Sequence, residues 1–495
     1  MNQPDAINGD VVRVSRRARL DQLRHRFRAL YGDGPVSVWR APARINIIGE
    51  HVDYVSYLPT ASLPFASREH AMLMLYRAAP DKGVRGASMH DAYAPFAFDL
   101  GDGPPPSAAM ELAWLAYLIN SRIPAPHWSN YVKGAAFFAG LKYGEPIRQG
   151  VDFLIDSNIP PSGGASSSSA LTVLAGAALR EVNQLGYSPD ELARDSAQAE
   201  WFLGTRGGAM DHLTICLARC HRAVHIRYAD QRSELAPLPG DEFRWVTFFT
   251  HAADKGRDVM LEYNERAAVS RLLIPAMIRD WQRDHPPLAE AWADALKRMN
   301  SAPSTALDQL ESLLGELPAQ ITFAEVARRN QDVYAECEGA FPTLVAARRD
   351  QPLKLRARAR HHLTETRRVA EAVRLLRATF DEEVTQGTEL IDDRVHELGA
   401  LINASHESLR DLYEVSTPEV EELMSILRND ANVYGARLMG GGFGGNLLAL
   451  TKVSHVTQLI DRAQTEFYGP RGRDGLNEGA VMVSTSGDGL CSVSC

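Results

Sequence analysis

Cysteine is scarce in this chain: five in 495 residues, at Cys216, Cys220, Cys337, Cys491 and Cys495. A set so small, odd and scattered fits a reducing compartment better than a disulfide framework. Long apolar runs are also missing, and no uninterrupted stretch approaches the ~20 residues needed to span a bilayer. The first residues (Asn2, Gln3, Pro4 and Asp5, then Arg13, Arg16 and Arg17) are polar and charged, without the apolar core of a secretion signal. Nor is there a basic excess: 53 Lys and Arg against 62 Asp and Glu leave a net charge of −9, which argues against nucleic acid as the main partner. Two catalytic signatures are absent as well. No G-x-x-x-x-G-K-[ST] element supports a common P-loop NTPase, and no H-R-D or D-F-G set supports a protein kinase. The expectation is a cytoplasmic protein with no membrane, no nucleic acid and no obligate protein partner.

The remaining composition, 45% apolar and 23% charged, is that of a soluble globular protein. Its length exceeds what one core usually fills, so two domains are expected. They are placed at 1–235 and 236–495. Leu20, Leu23, Phe27 and Leu30 recur at helical intervals and predict an amphipathic helix over Arg16–Tyr31. Strands are expected over 36–48, 71–76, 151–155 and 244–250. The stretch from Leu272 to Ala370 is rich in Ala, Leu, Arg and Glu and reads as helices broken at Pro286-Pro287 and Pro318. Within it Lys354, Arg356, Arg358 and Arg360 alternate with apolar residues and are followed by Glu365 and Glu371, which reads as a solvated helix face. No repeat or heptad run is present. The order is mixed α and β, with strands in both halves.

The most informative segment is Pro160-Pro161-Ser162-Gly163-Gly164-Ala165-Ser166-Ser167-Ser168-Ser169-Ala170. Gly/Ser tracts are usually linkers. This one follows an apolar strand and opens at once into a helix running to about Leu179, which suits a phosphate cradle. The first N–H groups of a helix lack partners and carry partial positive charge, so an anion sits there favourably.

Four further segments carry candidate chemistry. Residues 40–54 (RAPARINIIGEHVDY) pack Glu50, His51 and Asp53 behind an apolar strand, a set suited to a polyhydroxylated ligand. A metal site competes, but no second histidine follows at helical spacing. Residues 199–212 (AEWFLGTRGGAMDH) place Glu200 on a helix end and Asp211 among apolar neighbours. A carboxylate there is costly unless paired, unless it is simply a helix N-cap. Residues 128–134 (WSNYVKG) offer Trp128 and Tyr131, which can sandwich a base or fill a core. Residues 437–445 (RLMGGGFGG) hold five glycines in six positions, a backbone that bends sharply or presses against something. Cys216, Cys220, His221 and His225 tempt a zinc reading, but their alternating apolar neighbours favour buried thiols and edge histidines.

Together these motifs resemble the GHMP small-molecule kinases and, within them, the galactokinase family. The likeness runs from about Val36 to Leu450 and includes Ser405 to Ser416. The helical region 272–370 is similar to the insertion of the longer members, N-acetylgalactosamine kinase among them, which also carries a four-serine loop. The resemblance implies an α+β, two-domain fold with the active site in the cleft between the domains. It further implies ATP- and Mg²⁺-dependent phosphorylation of a sugar, galactose first, at the anomeric hydroxyl. On that basis Asp211 is the base, and Arg44 lowers the pKa of the hydroxyl and steadies developing charge. Glu50, His51, Asp53, Gly208 and Tyr263 contact the sugar, and Trp128 and Tyr131 lie on the adenine side. Gly163, Gly164, Ser166, Ser167 and Ser168 hold phosphates, with Ser168 and Glu200 near Mg²⁺.

The chain also departs from the family pattern. Val55-Ser56-Tyr57-Leu58-Pro59 is shorter than the usual continuation and lacks its Asn and Gly. His212 replaces a Gln beside the base, Ser162 and Ala165 replace Gly and Leu in the phosphate loop, and Met439 replaces a Thr before the glycines. The altered loop borders the sugar, so a 1-kinase for N-acetylgalactosamine, galacturonate or arabinose is an alternative. A non-catalytic sugar and ATP sensor is another.

Overall fold

A computed structural model describes residues 16–120, 124–160, 164–204, 207–252, 257–299, 303–380, 388–477 and 479–493. Gly163, expected in the phosphate loop, lies outside them with Pro161 and Ser162.

The largest sheet explains the first half of the chain. Strand Ser37–Asn46 pairs antiparallel with Pro64–Ala78, which pairs antiparallel with Val151–Ser157. Gly83–Ser88 joins that last strand in parallel, and Phe96–Asp99 closes the edge. Alternation along the middle strand sorts side chains to two faces. Leu73 and Leu75 meet Leu20, Leu23 and Phe27 of helix Arg16–Tyr31. Met72, Met74 and Tyr76 join the main core with helix Ser167–Val182. Leu30, placed on the apolar face by its spacing, remains 39% exposed. Two strands near the other end of the chain, Ser486–Gly487 and Cys491–Ser492, return to this sheet beside Ala66 and Trp39. The chain therefore crosses back over the division expected at residue 235.

A second sheet is ordered Val433–Met439, Asn446–Lys452, Phe243–Phe249 and Val481–Ser484. A third joins Ala61–Ser62 to the hairpin Arg222–Arg227 and Arg232–Pro237. Helices and mainly antiparallel sheets make this an α+β fold. Cys216 is buried with its thiol pushed up by desolvation, and no group of three or more His, Cys, Asp or Glu among the described residues is placed to hold a metal. No helix among them is long and apolar enough to cross a membrane.

The helical region extends beyond its expected bounds, from Arg257 to Phe380 with interruptions. Pro286 starts a helix (Pro286–Arg298), where its missing N–H costs nothing. This region has its own core, which includes Leu273, Leu310, Phe323 and Leu355 and also takes in Val55, Tyr57 and Leu58 from the loop after the first strand. Helix Leu355–Phe380 links the two halves: Ala359 and Leu363 pack in the helical core, Val369 and Leu376 in the main one. The solvated face expected here is only partly found. Arg358 is 1% exposed and bonds Leu412 O and Glu414, while Glu365 is fully buried. Covering helices, not the spacing of charges, decide which side of a helix meets water.

Candidate active site

Arg44 sits just past a β-bulge in strand Ser37–Asn46, where the register shifts between Pro42 and Arg44. Bulges re-aim side chains, and this one turns the guanidinium inward. Its Nε and Nη2 lie 2.7 and 2.6 Å from Asp211 Oδ1. Ser166 Oγ donates to Asp211 Oδ2 at 2.5 Å. Burial works to raise the Asp211 pKa, but the Arg44 charge and the Ser166 hydrogen bond outweigh it and hold the carboxyl below its ordinary range. Asp211 stands in the first turn of helix Met210–Leu217 and makes no capping bond to it, so the N-cap alternative falls away. Arg44 Nη1 is buried without a partner. A free donor beside a bonded carboxylate is where an incoming oxygen fits.

Ser166 was expected on the phosphate side, but its hydroxyl is committed to Asp211. Its left-handed backbone, at φ 62°, brings the chain around the start of helix Ser167–Val182. Ser167 and Ser168 form the first turn, whose N–H groups have no intrahelical acceptor. Gly164, at φ +73°, faces the glycine cluster, and a Cβ there would lie 3.5 Å from Met439 O. Serine loop and glycine cluster are thus neighbours, although far apart in sequence.

Ser168, Tyr131, Glu200 and Thr172 come together beyond them. The Tyr131 hydroxyl meets Ser168, and Thr172 Oγ1 donates to Glu200 Oε1 at 3.2 Å. Mg²⁺ commonly takes one or two carboxylates and completes its shell with phosphates and water. One carboxylate with a neighbouring serine fits that demand. His212 Nε2 lies 3.5 Å from the same Glu200 oxygen, and neither of its ring nitrogens has a hydrogen bond. Trp128 has different company from Tyr131: Nε1 donates to Ala94 O, and its ring packs edge-on to Phe96 at 4.7 Å.

On the other side of Arg44 lie the residues expected at the sugar. Gly49 (φ +95°) turns the chain where a Cβ would strike Ala61 O at 2.6 Å. Glu50 is 4% exposed; its Oε2 accepts from Asn46 Nδ2 at 3.0 Å and from Arg437. That leaves Oε1 for a ligand. Asp53 presses against Gly208, where a Cβ would sit 2.1 Å from its Oδ2, so only glycine fits. Burial raises Asp53 to about 6 against the pull of Arg271, with Asp211 and Glu50 adding to the rise. His51 has Nε2 buried and unpartnered. The half-exposed Tyr263 ring stands 6.3 Å from the His51 ring.

Three family descriptions match the chain in order: Galactokinase galactose-binding signature over residues 25–66, GHMP kinases N terminal domain over 130–219, and GHMP kinases C terminal over 388–469. The chain thus carries both domains of a GHMP kinase. Among its relatives, the galactokinase of Dictyostelium discoideum is 27% identical, over 91% of this chain and 88% of that one. The galactokinase of Roseiflexus sp. is 28% identical, over 95% and 96%. The crystal structure of Lactococcus lactis galactokinase complexed with galactose shares the fold, with a TM-score of 0.66 at 24% identity over 96% of this chain and 100% of that one.

Two supports of the site are not signalled by any local motif. Arg437, fully buried in strand Val433–Met439, donates to Glu50 and to Ile47 O. A lone arginine in an apolar strand is the signal that could have found it, since such a charge requires a buried carboxylate. Glu365 accepts from Gly49 N at 2.8 Å and Ser405 Oγ at 2.7 Å and pairs with Arg368 at 2.7 Å. Burial opposes its charge, yet these partners, Arg368 foremost, hold it down to about 2. His361 Nε2 lies 3.2 Å from Glu50 O.

Proposed function

We propose that this kinase transfers the terminal phosphoryl group of ATP to the anomeric hydroxyl of galactose. The observation that carries the reading is the Arg44–Asp211–Ser166 contact at the start of a phosphate-facing helix, between the glycine cradle and the galactose-binding signature. Asp211 receives the hydroxyl proton. Held below the usual carboxylate range it is a weak base, so it takes the proton late, as the O–P bond forms. Arg44 keeps Asp211 ionised and offers Nη1 to the sugar oxygen or the moving phosphoryl. Positioning and charge stabilisation do most of the work in such transfers. The N–H groups of Ser167 and Ser168, with Gly164, hold the phosphates. Ser168 and Glu200 would hold Mg²⁺, which when bound neutralises phosphate charge. Glu50, Asp53, His51 and Tyr263 receive the sugar, with Gly208 making room for Asp53, and Trp128 and Tyr131 flank the base. The two halves, 1–235 and 236–495, act as the walls of the cleft, save for the final strands.

A panel of free sugars in an ADP-release assay tests this. Galactose is expected to lead, and absent galactose turnover beside strong activity on N-acetylgalactosamine, galacturonate or arabinose would overturn the substrate. ADP release with none of them would overturn the kinase reading.

The raised Asp53 carboxyl adds a pH signature. Only its ionised form accepts from sugar hydroxyls on both oxygens, so the sugar KM is expected to climb as pH falls through about 6, by up to about tenfold per unit. Because Asp211 stays ionised there, kcat holds level. A carboxyl whose folded-state pKa exceeds its unfolded value favours the folded protein when protonated, so acid does not unfold the chain through this group. A sugar KM flat from about pH 7.5 to 5 would remove Asp53 from the sugar site.

A further inference from the structure

His212 follows Asp211 in helix Met210–Leu217 and has no part in the chemistry above. Its side chain is 2% exposed, and neither ring nitrogen has a hydrogen-bond partner. An imidazole gives up its bonds to water when buried, so one left without partners calls for an explanation. Its Nε2 lies 3.5 Å from Glu200 Oε1. Glu200 stands where helix Pro189–Ala199 tightens into the short turn Glu200–Leu203, with its side chain 19% exposed.

The hydrogens around Glu200 Oε1 can be counted. Thr172 Oγ1 has one, and two acceptors share it: Ser168 O at 3.1 Å and Glu200 Oε1 at 3.2 Å. A threonine inside a helix commonly gives its hydrogen to the carbonyl four residues back, so Oε1 receives it only in part. A neutral imidazole brings one more. Either tautomer leaves one ring nitrogen of His212 unpartnered, and the charge of Glu200 decides between them. A hydrogen on Nε2 points at a carboxylate oxygen and is attracted. A hydrogen on Nδ1 would instead set the Nε2 lone pair against that oxygen, in a setting poor in water. The Nε2–H form is therefore selected. Glu200 Oε2 takes no hydrogen bond from the described residues.

We propose that His212 Nε2–H, together with Thr172, holds Glu200 by Oε1 and leaves Oε2 to the divalent cation. His212 is then a positioning residue of the metal site. The proposal deepens the kinase reading and rests on it for the cation at Glu200. Donors on one oxygen fix a carboxyl group that could otherwise rotate, which is how the outer partners of metal ligands act. The exchange of glutamine for histidine at this position fits the same role. Both side chains offer an N–H, so the donor is kept while its carrier changes.

Two measurements decide it. The first is the long-range ¹H–¹⁵N spectrum of histidine-labelled, ligand-free protein near pH 7.5, with His212 assigned by its loss in His212→Gln. A hydrogen on Nε2 is expected, and a bare Nε2 overturns the proposal whether or not any variant folds. The second is calorimetric ADP binding with and without Mg²⁺, which reads the affinity that the cation adds. In His212→Leu that gain is expected to shrink about three- to tenfold, with metal-free ADP binding unchanged. In His212→Gln it is expected to return. An undiminished gain in His212→Leu, an equal loss of metal-free binding, or no recovery in His212→Gln overturns the proposal. Equal ADP binding with and without Mg²⁺ in the unaltered protein would take the cation from Glu200, and the proposal would fall with that reading. Neither measurement uses sugar or turnover, so both stand apart from whether galactose is phosphorylated.

Discussion

Asp211→Asn is expected to lower kcat by about 10²–10⁴-fold, the usual worth of a positioned base, while ATP binding and the fold persist. The amide oxygen can still accept from Ser166 or from Arg44, whose contacts at 2.5 to 2.7 Å set the position of the side chain. What the amide cannot do is receive a proton. The effect is expected in kcat, because the proposed sugar contacts of Glu50, Asp53 and His51 are untouched. Steady-state ADP release and calorimetric ATP binding make the check. Near-normal kcat would remove Asp211 as the base and leave Arg44 a purely structural ion.

The largest effect on stability is expected at Arg437. Arg437→Met leaves Glu50, 5% exposed at its side chain, as an uncompensated charge behind the sugar loop. Breaking one partner of a buried pair typically costs about 3–5 kcal/mol, whereas replacing both by apolar groups can be nearly neutral. Urea unfolding followed by tryptophan fluorescence should therefore show a large loss in Arg437→Met and a partial recovery in the Glu50→Leu/Arg437→Met double variant. A single-variant loss of under about 1 kcal/mol would place Glu50 in contact with water and undo this account of the loop. Glu50 is proposed to contact the sugar, so the double variant is read for stability alone.

Much of the site was legible because its signals are local. A strand, two glycines, a serine run and an apolar helix in succession describe an anion site without any knowledge of the rest of the chain. Helix Arg16–Tyr31 follows from spacing alone. Asp211 stood out because its neighbours are apolar. Local spacing is misleading at Glu365. It lies three residues before Arg368, a spacing that on an exposed helix makes a solvated pair, yet it is fully buried. Nor does the serine run reveal that a left-handed backbone turns the Ser166 hydroxyl to Asp211.

The amino-acid order by itself determined many of the elements, a helix start with free N–H groups and the residue types available for the proposed sugar and phosphate contacts. Tertiary structure decided the partners. Arg44 meets Asp211 across 167 positions, Gly49 meets Glu365 across 316, and Glu50 meets Arg437 across 387. Backbone preference and side-chain periodicity act over a few residues and can be read along the chain. Whether a charge is buried, and which opposite charge compensates it, depends on what the fold lays over it.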